Sequence, residues 1–184
     1  HLKSYFIQAA FLDENTLIKA LAFGGKEITY QSWYGVDQNT LATNRRYNPA
    51  GGIYDEMGSL EGYYDNQVDH YQQDHYQWHW SQKIDSYSRF SLGLNYTYGR
   101  GYYEEYKDLW YEQNVNYSSE NSFAYLGLSP LSIGGTTIDA TENTVRKWLD
   151  NDYYVATFSL NHQKGNTEWN LGGFYSRYVG DHFG

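Results

Sequence analysis

The chain has no cysteine, no long apolar run, few basic residues and few aliphatic ones for its size. Without cysteine there is no disulfide framework, which is compatible with a bacterial exported protein without establishing one. No stretch approaches the roughly 18 consecutive apolar residues that a membrane-crossing helix needs. Thirteen Lys and Arg stand against 22 Asp and Glu, a formal net charge of -9. That leaves no basic stripe to meet phosphates and excludes nucleic acid as a partner. A soluble sandwich of this size would carry more Val, Ile and Leu on its inward faces. His1-Leu2-Lys3-Ser4-Tyr5 already reads as part of an alternating segment, so no leader segment is expected there. The chain is therefore expected to be an internal piece of a larger polypeptide, or a processed product.

What the chain has instead is aromatic side chains: 22 tyrosines and 6 tryptophans in 184 residues. Mean hydropathy is nevertheless -0.78, so apolar residues are thinly spread along the chain. Amphipathic rings suit the two interfaces of a membrane, where one end of the side chain is dry and the other wet.

The most telling stretch runs from residue 69 to 98. Asp69, Tyr71, Gln73, His75, Gln77 and His79 share one parity, and the other ends in Tyr76, Trp78 and Trp80. A polar turn follows at Asp85-Ser86-Tyr87-Ser88. The return segment puts Arg89, Ser91, Gly93, Asn95 and Thr97 on one face and Phe90, Leu92, Leu94, Tyr96 and Tyr98 on the other. Side chains alternate faces along a strand, so this is a hairpin with one wet and one greasy side. His, Gln, Asn, Thr and Gly make a poor core but a good water-filled lumen. An outward apolar band of about ten residues bracketed by Tyr and Trp is the signature of a transmembrane β-barrel strand.

The whole chain reads as all-β, with about six antiparallel strands in three hairpins. Strands are expected at about 3–12, 16–30, 67–82, 89–100, 152–162 and 167–178. The short turns carry Asp, Asn, Gly or Ser, as tight turns should. In the segment from Thr16 to Tyr30 both parities are apolar, with Leu17, Leu21 and Phe23 on one and Ile18, Ala20 and Ala22 on the other, and periodicity leaves its faces unassigned. Glu142 to Asp150 reads as a helical turn or, preferably, as an extension of the fifth strand. Two long loops, about 31–65 and 101–147, are of the length that usually carries function. Short turns on one side and long loops on the other match outer-membrane barrels, whose short turns are periplasmic and long loops extracellular. Six strands do not close a barrel, and an open edge in lipid leaves backbone groups unsatisfied. This is expected to be a consecutive slice of a larger barrel.

Several local motifs resemble the TonB-dependent outer-membrane receptors of Bacteroidetes. They are Asn15-Thr16-Leu17-Ile18-Lys19-Ala20-Leu21, Gly25-Lys26-Glu27, Thr29-Tyr30-Gln31, Arg46-Tyr47-Asn48-Pro49-Ala50-Gly51, Tyr64 to Gln77, Gly99-Arg100-Gly101-Tyr102-Tyr103-Glu104, Trp148 to Tyr154 and Tyr178 to Gly184. The resemblance implies a 22-stranded barrel with a plug domain, neither plug nor TonB box being in this chain. It also implies the bacterial outer membrane as location and TonB-energised uptake of a scarce large nutrient, such as a siderophore-iron complex, haem or cobalamin. Implied partners are outer-membrane lipid, the rest of the barrel, the TonB complex, a small-molecule or metal-chelate ligand and, in some relatives, a surface lipoprotein. An oligosaccharide-importing receptor of the same family, a passive porin and a soluble secreted glycan-binding β-protein are the alternatives.

Candidate ligand contacts follow from loop position and chemistry. Arg45-Arg46-Tyr47 offers a cationic pair beside a ring, suited to carboxylate or catecholate oxygens. Tyr63, Tyr64, Tyr102 and Tyr103 are further loop aromatics, and His75 is the lumen candidate. The competing reading of the arginines is a solvated loop anchored to Asp55, Glu56 or Asp65. His75 and His79 lie about 13 Å apart on one strand face and cannot share a metal. Neighbouring Asp74 and His75 point to opposite faces, and no nucleophile accompanies them. No catalytic residue, metal site or cofactor is expected. Tyr76, Trp78, Trp80, Phe90, Leu92, Leu94, Tyr96 and Tyr98 are assigned to the membrane-facing belt.

Overall fold

The computed structural model describes residues 1–184. Ten strands form: β1 Leu2–Leu12, β2 Thr16–Tyr30, β3 Gly52–Tyr54, β4 Leu60–Tyr63, β5 Val68–Lys83, β6 Ser88–Lys107, β7 Leu131–Ile133, β8 Thr136–Ile138, β9 Asn143–Lys164 and β10 Thr167–Phe183. Short helical segments occupy Gln38–Thr43 (α1) and Leu109–Tyr111 (α2), the latter running into a wider π-turn over Glu112–Asn116. No helix is long and apolar enough to cross a membrane. The six long strands make one antiparallel sheet in the order β1-β2-β5-β6-β9-β10, open at β1 and β10. β3–β4 and β7–β8 are separate two-stranded ribbons.

The three tight turns sit where the sequence puts them. Asp13 closes the first by accepting the N–H groups of Asn15 and Thr16, and Asp85 accepts that of Tyr87 in the second. At the opposite ends the strands run on farther than the alternation suggests. β6 continues to Lys107, β9 begins at Asn143, and β10 reaches Phe183. The preferred reading of Glu142–Asp150 as strand is the one observed, from Asn143 onward. These extensions are rich in charge, and that of β6 falls in what the sequence reads as a long loop. In β6 and β9 the charges find fixed partners, Glu104 with Arg146 and Lys107 with Glu105 and Glu120. Tyr102 and Tyr103 accordingly belong to β6 and not to a loop.

The chain divides into two compact units: His1–Ile28, His70–Tyr102 and Trp148–Phe183 in one, Thr29–Asp69, Tyr103–Lys147 and Gly184 in the other. The first unit is a single sheet layer without a core. The only buried hydrophobic residues of the chain, Ala50 and Phe123, both belong to the second.

Candidate functional site

Cross-strand contacts assign each residue of the first unit to a face. Tyr5 donates to Asp74 at 2.9 Å, and a Cβ on Gly24 would run into both, so these three share a face. Tyr76 stacks on Tyr96 at 6.0 Å between ring centres, and Tyr96 on Tyr154 at 4.9 Å. Register then carries the same face to Tyr175, which pairs with Ala156. This face collects Tyr5, Ile7 and Phe11 of β1, Ile18, Ala20 and Ala22 of β2, and all eight residues expected in the belt. The ambiguous strand β2 is thereby resolved. Tyr76 and Leu94 are 48% and 44% exposed, and no other belt residue is buried.

The belt ends in a defined way on each side. Near the tight turns Trp80 meets Phe90 edge-on, and His162 stacks on Trp169. At the other end carboxylates take over: Asp74 accepts Tyr5 and Gln72, Asp152 accepts Tyr96 at 2.6 Å, and Arg100 pairs with Asp150 at 3.4 Å. From Phe90 to Tyr98 the apolar run covers eight steps, about 26 Å along the strand.

The reverse face is polar over β5, β6 and β9. The Nδ1 of His75 lies 2.9 Å from the Thr97 hydroxyl, and its ring stacks on Phe23 at 4.6 Å. Gln77, His79, Asn95, Thr157 and Asn161 share this side through contacts such as Asn170 with Asn161 and the Thr157 hydroxyl against Gly93. His75 thus has its hydrogen-bonding capacity partly used within the sheet. Over β1 and β2 the same face is more apolar, with Phe6 against Phe23 and Leu21 beside Gln8.

Tyr102 falls on the belt face and not on the polar one. It stacks on His70 at 5.0 Å and packs against Trp148 at 4.6 Å, which in turn stacks on Phe183.

In the second unit, Arg45 and Arg46 occupy a turn closed by the Tyr47 N–H on the Asn44 carbonyl. Neither guanidinium has an ion pair, so the expected anchors are not made. Asp55 instead accepts the N–H groups of Met57 and Ser59. Tyr47 and Tyr63 expose 44% and 47% of their surface. Tyr54 stacks on Tyr111 at 5.3 Å and tilts against Trp110 at 5.6 Å. Burial raises the Tyr54 hydroxyl to about 12, with the neighbouring Tyr47, Tyr111 and Tyr63 adding to it. Tyr103 meets Trp33 edge-on at 5.3 Å, under the ammonium of Lys147.

Tyr64 differs from these, because its hydroxyl donates to Glu104 Oε1 at 2.6 Å. Asn66 donates to the same oxygen, while Arg146 takes Oε2. Burial pushes the Glu104 carboxyl up, but those three donors outweigh it and hold it below its ordinary value. A second buried cluster surrounds Lys107, whose ammonium lies 3.0 Å from Glu105, 3.9 Å from Glu112 and 2.7 Å from Glu120. Burial disfavours its charge, yet the carboxylates prevail and raise the ammonium. Glu120 also accepts Lys147, and its carboxyl is lowered by the two ammonium groups against the pull of burial. Sequence reading missed both clusters. The one local signal was Glu105 and Lys107, two residues apart and therefore on one face of a strand.

No group of His, Asp and Glu side chains is arranged to hold a metal ion. No protein-family model matches the chain, and neither do any curated protein or solved structure.

Proposed function

We propose that the chain is a wall segment of a bacterial outer-membrane β-barrel, and that the barrel is a receptor for TonB-energised uptake of a scarce large nutrient. The observation that carries the membrane reading is the uncovered aromatic-apolar face of a sheet with no core. Burying such a face is worth about 25 cal/mol per Å², so in water it would be a strong liability for aggregation. In lipid it is the stable arrangement, and the polar reverse face then lines a wet lumen. A run of about 26 Å tilted by roughly 40° spans about 20 Å of backbone from Phe90 to Tyr98, and the rings at its two ends extend it toward the roughly 25 Å apolar band of outer-membrane barrels. Carboxylates at one end and ring pairs at the other mark its two boundaries. The open edges at β1 and β10 call for further strands. A soluble glycan-binding sheet would instead bury Trp78, Trp80, Phe90 and Leu92 beneath a second sheet, and none of these is buried.

The import reading rests on the family resemblance. The residues offered for cargo are the unpaired Arg45 and Arg46 with Tyr47 and Tyr63, while Tyr64 serves to hold Glu104. The test uses cells expressing the full polypeptide and offered haem, a ferric siderophore or cobalamin as the sole source of the limiting nutrient. Growth that disappears when TonB is deleted supports the reading. Growth independent of TonB identifies a passive porin, and release of the protein from membranes by urea without detergent sinks the barrel.

A further inference from the structure

The long strands set their side chains in rows across the sheet, and one row on the belt face is charged at every position but one. Lys3 lies directly across from Lys26 in the β1–β2 ladder, and Asp150 directly across from Asp181 in β9–β10. The ladder bonds of Gln31 to Gln67 and of Lys83 to Asn15 set Lys26 beside Gln72. Gly101 lies directly over Tyr71, which sets Gln72 beside Arg100, and Arg100 pairs with Asp150 at 3.4 Å. The row therefore reads Lys3, Lys26, Gln72, Arg100, Asp150, Asp181, with cations on one side and carboxylates on the other. It lies two residues along each strand beyond Tyr5 and Gly24, where the apolar belt ends.

Like charges directly opposite each other destabilise a sheet. Lys3 and Lys26 are nonetheless adjacent, exposed and without an ion pair. Asp74, one row inward, is already taken by Tyr5 and Gln72. The row beyond the charges is aromatic: His70 stacks on Tyr102, Tyr102 packs against Trp148, and Arg100 sits over the Trp148 ring at 5.2 Å. Outward along the strands this face thus presents apolar rings, then unpaired cations, then a second set of rings about 7 Å farther on.

We infer that this face holds one phosphorylated glycolipid of the outer leaflet. Its acyl chains lie on the belt, a phosphate sits on Lys3 and Lys26, and its sugars lie over His70 and Tyr102, one and two strands along. Two ammonium groups suit a phosphate through charge-assisted hydrogen bonds, and its charge relieves their repulsion. Arg100, two strands from Lys26 and so about 10 Å away, meets the far end of the headgroup. The carboxylates of Asp150 and Asp181 repel phosphate and so fix which way the headgroup points. A lipid with a phosphate and no sugar would use the lysines and leave the outer rings idle. The inference rests on the membrane reading proposed above, and the experiment separates the two.

Native mass spectrometry counts the lipid held by the full polypeptide in dodecylmaltoside micelles. The probes are bisphosphorylated lipid A, the same lipid A after dephosphorylation, and phosphatidylglycerol. Phosphorylated lipid A is expected to half-saturate at a concentration about tenfold lower than either of the others. Replacing both lysines, Lys3→Gln with Lys26→Gln, should erase its advantage over the dephosphorylated form. Lys19→Gln with Lys164→Gln removes the same charge outside the site and should leave that advantage intact. Because Lys3 and Lys26 repel, their double variant should unfold in lipid-free micelles at the same or a higher temperature. A lower temperature would mean that Lys3 pairs with a carboxylate across the open edge of β1, and overturns the site. Equal retention of the three lipids also overturns the site and leaves the membrane reading standing. A full polypeptide that stays monodisperse without detergent overturns both.

Discussion

Arg146 and Glu104 meet asymmetrically: Nε and Nη2 of the guanidinium both lie 2.7 Å from the same carboxylate oxygen, Oε2. The other oxygen is thereby left to Tyr64 and Asn66. Glu104 is almost wholly buried, its side chain 4% exposed, while that of Arg146 is 48% exposed. Removing the arginine strands a buried charge with two neutral donors; removing the glutamate releases a group that water can solvate and two small donors. Arg146→Ala is expected to destabilise the second unit by about 1–3 kcal/mol. Glu104→Gln should cost about as much, because a neutral amide cannot serve four donor contacts. Amide hydrogen exchange localises the effect: protection should fall around residues 64–67 and 104–108 and stay unchanged in β1. An unchanged exchange pattern would make the cluster energetically idle.

The same carboxylates set an acid limit. Glu104 and Glu120 are held below their ordinary range, so their contribution is complete above the unfolded glutamate value of about 4.3 and disappears as pH falls through the lower folded values. Lys107 is raised, so its contribution is complete below the unfolded lysine value of about 10.4 and is lost as pH rises through the higher folded one. The second unit should have a stability plateau between these limits, read from thermal unfolding across pH. Glu120→Gln should flatten the acid limb. A maximum confined near neutrality would mean that other groups dominate.

The two faces predict opposite tolerance to charge. Leu94→Arg, in the middle of the belt, should cost about 2–4 kcal/mol for unfolding from bilayers, the range for arginine facing lipid at the midplane. Asn95→Arg, one residue on and facing the polar side, should cost far less. Denaturant titration of the full polypeptide in vesicles measures both. Equal costs would contradict the assignment of faces.

How much of this was legible beforehand depended on whether a signal was local. The hairpin around Asp85 was readable because one parity of each strand is consistently polar. β2 was not, because both Leu17-Leu21-Phe23 and Ile18-Ala20-Ala22 are apolar and a period of two cannot rank them. The decision lies across strands, in Gly24 beneath Tyr5 and in Phe23 on His75. The extension of β6 was hidden for a related reason, whereas that of β9 was already the preferred reading of Glu142 to Asp150. Glu104 pairs with a residue 42 positions away, and Lys107 with one 13 positions on, distances at which sequence patterns are silent. Arg45 and Arg46 present the reverse case, where chemistry suggested anchoring and the anchors are absent.

Glycine places a tight constraint on the β5–β6 pair. A Cβ at Gly101 would collide with the backbone carbonyl oxygen of His70, which cannot move without breaking the ladder. At Gly99 the obstacle is the phenol end of Tyr71, which can rotate away. Gly101→Ala is expected to cost about 1–3 kcal/mol and Gly99→Ala distinctly less. The folded fraction recovered from refolding into detergent ranks them, and the opposite order would place the close approach elsewhere.

The unpaired arginines allow binding to be separated from folding. Arg45 and Arg46 make no ion pair, so replacing both by alanine should change stability by no more than about 0.5 kcal/mol. Tyr64→Phe removes the hydroxyl donated to buried Glu104 and should lower stability by about 1 kcal/mol without affecting uptake. If the arginines receive cargo, the double variant should raise the half-saturating concentration for haem, which has two carboxylates, by about tenfold. Cobalamin, with no free carboxylate to receive, should be taken up unchanged. Uptake curves for the two cargoes, each with its unfolding midpoint, give the comparison. A loss of stability without a loss of uptake would return Arg45 and Arg46 to a structural role, and Tyr47 and Tyr63 would then be the residues to test.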